Sequence, residues 1–353
     1  MTFQTFRLQP YPESGFHFGR QGRALETTAE TLASDSLFAA LVVTYKETHG
    51  AVDEFLAPWE NGDPPFLLSS MFPFAGELPL LPLPRLPVRF GQVDPRSLKK
   101  LKKIKYVSPH IFSRLLAHEL MDDAWANGPR TSLQDGAVWL DGGEQQQLPT
   151  KWRRLKPELL HETKIWATDT VPRVTVARPT SSSTIYFAGR TVFAEACGLW
   201  FLADVRRQSE LLSSLLAEIS QAGIGGERSA GYGAFTIGEP LPLPALPPTA
   251  GADQVLTLAR YHPRPDEIEA GVLGPAAAYE IVTVGGWLAT AGAPAERRRR
   301  VRLLEAGSVL DVSGGAQLSG QLVDVRPSYA SGKRYRHAVY RNGYAFPIGV
   351  RKI

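Results

Sequence analysis

Between Gly223 and Phe235 the chain runs GIGGERSAGYGAF, placing five glycines within eleven residues. Residues without a Cβ adopt positive φ freely and let two backbones touch, so this stretch is a tight loop lying close to something. Successive uncovered amides in such a loop form a concavity that suits anions. Upstream, Leu211, Leu212, Leu215, Leu216 and Ile219 recur at helical spacing over Ser209–Gln221. Gly223 then stops the helix, and Tyr232–Ile237 reads as a short strand. The order is helix, glycine loop, strand. Dinucleotide and Walker loops need strand, loop, helix, and the Walker form also ends in Gly-Lys-Ser/Thr. Both are excluded. A plain helix-to-strand turn or an RNA-gripping loop remains, and the second makes Gly225, Gly226, Arg228, Ser229 and Tyr232 candidate RNA-binding residues.

The rest of the chain supplies further candidates. Thr2–Leu8 reads as an opening strand, followed by Phe16-His17-Phe18-Gly19 and the basic Arg20 and Arg23. A helix begins at Ser34 or Asp35 as N-cap, with Leu37, Phe38, Leu41, Val42 and Tyr45 on one face. Its free amides with Ser34 and Ser36 make a phosphate site or simple capping, and the charge of Asp35 opposes the former. Pro64–Pro87 is so rich in proline that only short edge strands or a hairpin near Gly76 fit. In DPRSLKKLKKIKYVS, Leu98, Leu101 and Ile104 turn five lysines to solvent. Ser108–Ala126 reads as a helix, and its His118-Glu119 lacks the second histidine of a zinc motif. Gly128–Pro149 reads as a polar excursion.

Lys151–Arg190 alternates cations, among them Arg173 and Arg178, with Trp166, Tyr186 and Phe187. Cations for phosphates and aromatics for bases are the usual grip on single-stranded RNA. Thr191–Val205 reads as two strands broken at Gly198. The βαββαβ order up to residue 239 is that of a ferredoxin-like (RRM-like) domain with insertions. Residues 240–251, opening on PLPLPALPP, read as an extended linker, and residues 252–353 as a second domain. There Gly285-Gly286 suggests a bulge, Ala306-Gly307 and Asn342-Gly343 suggest hairpin turns, and Arg297–Arg300 is the densest charge, usually a solvated face.

With 353 residues, 43% of them hydrophobic, the chain can bury two cores, and a net charge of +4 permits a nucleic-acid partner without demanding one. One cysteine, Cys197, excludes an internal disulfide and suits a reducing cytoplasm. No apolar run reaches transmembrane length, so no membrane partner is expected. The seven histidines lack partners at catalytic or ligand spacing, so neither metal nor cofactor is expected and no catalytic residue is assigned.

The loop form G-x-G-G-x-x-S-x-G-x-G-x-F after the last helix of a domain resembles the signature of the RAMP superfamily of CRISPR proteins. FHFG followed by ETTAETLASDSLFAAL, with GSVL and YRNGYAFPI near the end, resembles the fourth subunit of the type III-A Csm effector complex. The resemblance implies an α+β fold of two ferredoxin-like domains facing across a cleft. It further implies a non-catalytic subunit capping the 5′ repeat-derived tag of the crRNA. A large Cas10-type subunit would dock on one side, a backbone RAMP subunit on the other, and target RNA would be met only indirectly. It also implies a hairpin insertion around Arg173 and Arg178 that wedges into the guide. Two other functions stay open: a metal-independent endoribonuclease trimming repeats with His17 as base, and a scaffold without RNA contact.

Overall fold

The computed structural model describes residues 3–12, 14–19, 25–90, 99–121, 132–177, 182–243, 245–290, 293–327 and 338–351. The opening strand β1 (Phe3–Pro10) is followed by helices α1 (Ser34–His49) and α2 (Asp53–Glu60). Three short strands come next, β2 (Phe66–Leu68), β3 (Phe72–Ala75) and β4 (Leu78–Pro79). A small sheet of order β5-β6-β8-β7 joins Leu81–Pro82, Tyr106–Val107, Val138–Trp139 and Ser132–Leu133, with α3 (Pro109–Leu116) and α4 (Pro157–Glu162) beside it in sequence. A twelve-residue hairpin follows, β9 (Trp166–Ala177) with β10 (Ser182–Phe193). Then come β11 (Cys197–Val205), α5 (Ser209–Ala222) and β12 (Phe235–Gly238).

The main sheet has the order β12-β1-β11-β3-β4, with β2 also on β11. β1 is antiparallel to both neighbours, with Phe6 opposite Phe201 and Leu8 opposite Ile237. Helix α1 forms because Leu37, Phe38, Leu41 and Tyr45 recur on one face, and it ends where Gly50 turns at φ 81° and its amide reaches the Lys46 carbonyl. That face and Leu212, Leu215, Leu216 and Ile219 of α5 join the sheet residues in one core. Trp200, fully buried in β11, donates Nε1–H to the carbonyls of Pro73 (3.1 Å) and Leu80 (3.0 Å), tying down the proline-rich segment.

The C-terminal part begins at β13 (Gln254–Thr257), central in a sheet of order β18-β13-β21, where β18 is Val309–Asp311 and β21 is Pro347–Val350. Helix α6 (Pro265–Glu269) follows β13. Strand β14 (Ile281–Val284) pairs with β17 (Val301–Leu304), β15 (Trp287–Thr290) with β16 (Ala293–Arg297), and β19 (Leu322–Asp324) with β20 (Tyr340–Asn342).

Several local expectations are corrected and others hold. The hairpin expected near Gly76 forms between β3 and β4, with β4 at the sheet edge, although Pro73 itself lies in β3 between β11 and β4. The break expected at Gly198 falls at residues 194–196, with Gly198 inside β11 against the Leu8 carbonyl. Helix α3 ends at Leu116 and His118 takes φ 53°, so the helix stops well short of Ala126. Residues 132–149 form short strands and two 3-10 stretches, with Leu133, Val138, Trp139 and Leu148 buried, so their apolar content overrides the polar composition. The interruption expected at Gly285-Gly286 is present: Val284 faces Val301 and Trp287 faces Arg297, so two residues oppose three and the register shifts by one, as at a bulge. β17 and β18 join different sheets, as do β20 and β21, so neither expected hairpin forms.

The proline-rich linker is a packed strap. Leu241 is buried, Leu243 and Leu246 lie against the core, and the Leu241 carbonyl accepts from Thr5 Oγ1 at 3.2 Å. Leu256, Leu258, Val309, Phe346 and Ile348 belong to the same hydrophobic cluster as the main sheet, so one core runs through both parts.

Candidate nucleic-acid interface

The glycine loop is held edge-on against the FHFG segment. The Gly226 amide donates to the His17 carbonyl (2.9 Å), the Gly233 amide to Gly15 (2.9 Å), and Ile224 to Gly233 (2.9 Å). Two positions admit no side chain. Gly225 sits at φ 99°, where a Cβ would come within 2.6 Å of the His17 carbonyl oxygen. Gly233, at φ 86°, would place one 2.3 Å from that of Ile224. Between them Glu227 enters the left-handed region and Arg228–Ala230 make one 3-10 turn. The Arg228 and Ser229 amides start that turn without an acceptor among the described residues, and both residues are exposed. Such amides are where an anion is welcomed.

The long hairpin leans on this loop. Arg173 and Tyr186 are cross-strand neighbours. The Arg173 guanidinium lies over the Tyr232 ring, 5.0 Å from its centroid, and Tyr186 donates to Glu227 Oε2 at 3.1 Å. The opposite strand face leaves Val174, Ile185 and Phe187 exposed.

The start of α1 is closed by the C-terminal part. Its N-cap is Ala33, without a side-chain cap, so neither Ser34 nor Asp35 caps. Ser34 Oγ accepts from the Arg260 amide (2.8 Å), and Asp35, 0% exposed, receives Arg260 Nη1 (3.2 Å) and Arg341 Nη1 (3.0 Å). Arg260 also pairs with Glu305 at 2.8 Å. A buried carboxylate with two guanidiniums occupies the place the sequence offered to a phosphate.

A cleft of about 1960 Å³ joins these features. It is lined by Gly225, Gly226 and Arg228 of the loop, by Ser36, Ala39, Ala40 and Val43 on one face of α1, and by Trp287, Arg297, Arg298 and Arg300 of the C-terminal part. Eight lysines and arginines line it against three glutamates. Arg85 pairs with Glu280, Lys105 with Glu30, and Arg260 as above. Arg228, Arg297, Arg298 and Arg300 have no carboxylate partner among the described residues. Burial, and secondarily Arg341, pushes the Arg298 guanidinium down to about 10. No group of three metal-ligating side chains occurs among the described residues, and no helix there is long and apolar enough to cross a membrane.

Residues 250–350 match the family model for the CRISPR Csm4 C-terminal domain. The chain is 26% identical over 348 residues to the CRISPR system Cms protein Csm4 of Streptococcus thermophilus, covering 98% of each. It is 30% identical over 302 residues to the protein of that name from Mycobacterium tuberculosis (strain CDC 1551 / Oshkosh), covering 83% of this chain and 84% of the relative. This chain belongs to the Csm4 family. Among solved structures, chains from Csm4-containing complexes share the fold. One from a Csm3-Csm4 subcomplex of the type III-A CRISPR-Cas interference complex aligns with TM-score 0.67 at 19% identity, covering 99% of this chain and all of that one. Another, from a Csm1-Csm4 cassette in complex with one ATP, aligns at 0.52 and 17% identity, over 99% and 98% of the two chains.

In this Csm4-family chain, His17, Ser36, Gly225, Gly226 and Arg228 come together along the cleft, with Ser229 exposed beside them. Three of the candidates are largely enclosed: Ser34 spends its hydroxyl on Arg260, Tyr232 is 3% exposed beneath Arg173, and His17 is 5% exposed with Nδ1 2.7 Å from the Gly189 carbonyl. Both rings pack beside the loop. Arg173 stands on Tyr232, while Arg20, Arg23 and Arg178 lie outside the described residues. Sequence reasoning missed the Asp35–Arg260–Arg341 cluster, whose members lie up to 306 positions apart and share no local pattern. It also missed Trp287, although an aromatic residue directly after Gly285-Gly286 and ten before an arginine run was a signal.

Proposed function

We propose that the chain is the non-catalytic RNA-binding subunit that caps the 5′ repeat-derived tag of the crRNA in a type III-A Csm complex. The observation that carries this reading is the glycine loop, whose exposed Arg228 and Ser229 amides and Arg228 side chain border a cleft with excess positive charge. Neutralising phosphates there releases counterions, which drives RNA binding in salt-dependent fashion. The structures of relatives with Csm3 and with Csm1 support a place between a backbone subunit and a large Cas10-type subunit, in the cytoplasm. The double ferredoxin-like fold belongs to the same proposal. In the main sheet the four βαββαβ strands fall in the order fourth, first, third, second. In the C-terminal part β18-β13-β21 repeats third, first, fourth, with the second strand reduced to the single bridge Ala278–Val309.

The nuclease alternative is weakened by His17, whose buried ring is committed to the Gly189 carbonyl and covered by Gly226, leaving it poorly placed as a base. The test is a gel-shift series with tagged and tagless RNA, alone and with the neighbouring subunits, repeated under denaturing conditions. Retention that prefers the tag, with intact RNA, is expected. Cut RNA would establish the nuclease instead, and silence in the assembled complex would remove the RNA reading.

A further inference from the structure

The arginine run at residues 297–300 is the one strong sequence feature that the glycine loop does not absorb. Trp287 and Arg297 are directly opposite each other on β15 and β16, and the Arg297 guanidinium lies 5.0 Å from the indole centroid. The indole still exposes 56% of its surface, unusual for the largest apolar side chain unless something covers it. The hairpin is fixed at its base, where the Arg298 amide donates to the Gly286 carbonyl (2.9 Å) and Arg341 Nη2 to that of Gly285 (3.1 Å). Trp287, Arg298 and Arg300 all line the cleft that the glycine loop borders. Arg298 Nε is buried without a hydrogen-bond partner, and neither Arg298 nor Arg300 meets a carboxylate among the described residues. A half-buried guanidinium left this way is costly unless an anion arrives.

We propose that this part of the cleft is a second single-stranded RNA element, where one base stacks on Trp287 and neighbouring phosphates sit on Arg298 and Arg300. It rests on the guide-RNA reading and extends it, since the same strand would run on from the glycine loop. An aromatic platform flanked by cations that lack carboxylates matches a base with its phosphates. A protein partner would need acidic groups for the arginines and an apolar socket for the indole at once. Stacking tolerates any base, so this element adds affinity without reading sequence. Arg297 acts as a positioning residue, holding the indole by cation–π contact.

The test uses the full chain assembled with its neighbouring subunits and a 5′-tagged single-stranded RNA. Trp287→Ala is expected to weaken binding by roughly tenfold, with Trp287→Phe restoring most of it. Arg300→Ala is expected to flatten the slope of log affinity against log salt by about 0.7, the value for one single-strand phosphate. Crosslinking from 4-thiouridine placed at successive tag positions should reach both the glycine loop and Trp287. If Arg228→Ala weakens binding while the Trp287 and Arg300 variants match the parent, the strand stops at the loop and this proposal falls alone. If those variants keep RNA affinity but shed a neighbouring subunit, the surface is a protein interface and the proposal is overturned. If the parent complex binds no tagged RNA, the guide-RNA reading falls with it.

Discussion

The two linings of the cleft are built on opposite principles. The glycine loop makes its surface by close approach: side chains are removed at Gly225 and Gly233 so that backbone meets backbone, and the polar groups left over are amides. The C-terminal lining makes its surface by charge, with guanidiniums held around one buried carboxylate and others left unpaired. A surface made by fit fails sharply when an atom is added. One made by charge fails when a counter-charge is removed, and tolerates changes of shape.

The largest effect should come from the buried carboxylate around which the charged lining is held. Asp35→Ala leaves Arg341 uncompensated and Arg260 with Glu305 alone, and should cost about 3–5 kcal/mol, read by chemical denaturation. A loss under about 1 kcal/mol would show that the arginines find water instead. Gly233→Ala places a methyl group against the Ile224 carbonyl at a positive φ, and about 3 kcal/mol of destabilisation is expected from strain and clash. Tag binding should vanish with it, and a variant that still grips RNA would break the claim that fit makes this lining. Arg228→Ala, on the exposed turn, should leave stability within about 0.5 kcal/mol while lowering RNA affinity about tenfold.

Arg298→Met sharpens the contrast, because it should raise stability while lowering RNA affinity. Its guanidinium is held near 10 by burial, so the fold disfavours the charge. Discounted for partial exposure, about 1 kcal/mol and about 2 °C in Tm should be gained without RNA. The smallest effect concerns His262. Burial holds its imidazole below the ordinary 6.5, so under acid conditions the unfolded chain binds more protons than the folded one. Stability should fall as pH drops through about 6.5, and His262→Gln should flatten that slope by less than about 1 kcal/mol, followed by melting at pH 5 and 8.

The loop lining was the legible one. Its glycines, preceding helix and following strand are neighbours in sequence, so local rules located them. Even there, the fate of His17 between two phenylalanines and of Tyr232 between two glycines was not readable, since either ring fits a buried wedge as well as an exposed platform. The charge-built lining was nearly opaque, because Asp35 meets Arg260 and Arg341 only after the chain has returned from afar. Hairpin signals misled for the same reason: Asn342-Gly343 can turn a chain back, yet Tyr340–Asn342 and Pro347–Val350 each found better partners elsewhere. Helix spacing did better, since the faces of α1 and α5 follow from a period that no distant contact alters.

The Asp35–Arg341 pair also sets a timetable. A ribosome adding about 5–20 residues per second needs on the order of 15–60 s to travel from one partner to the other. Strands β11 and β12 reach β1 within that interval, but the carboxylate lacks Arg341 until its end. The nascent chain therefore has no finished groove to offer while still tethered. Guide loading becomes a post-synthetic event, and a product truncated before Arg341 would leave Asp35 with one of its two guanidinium partners missing.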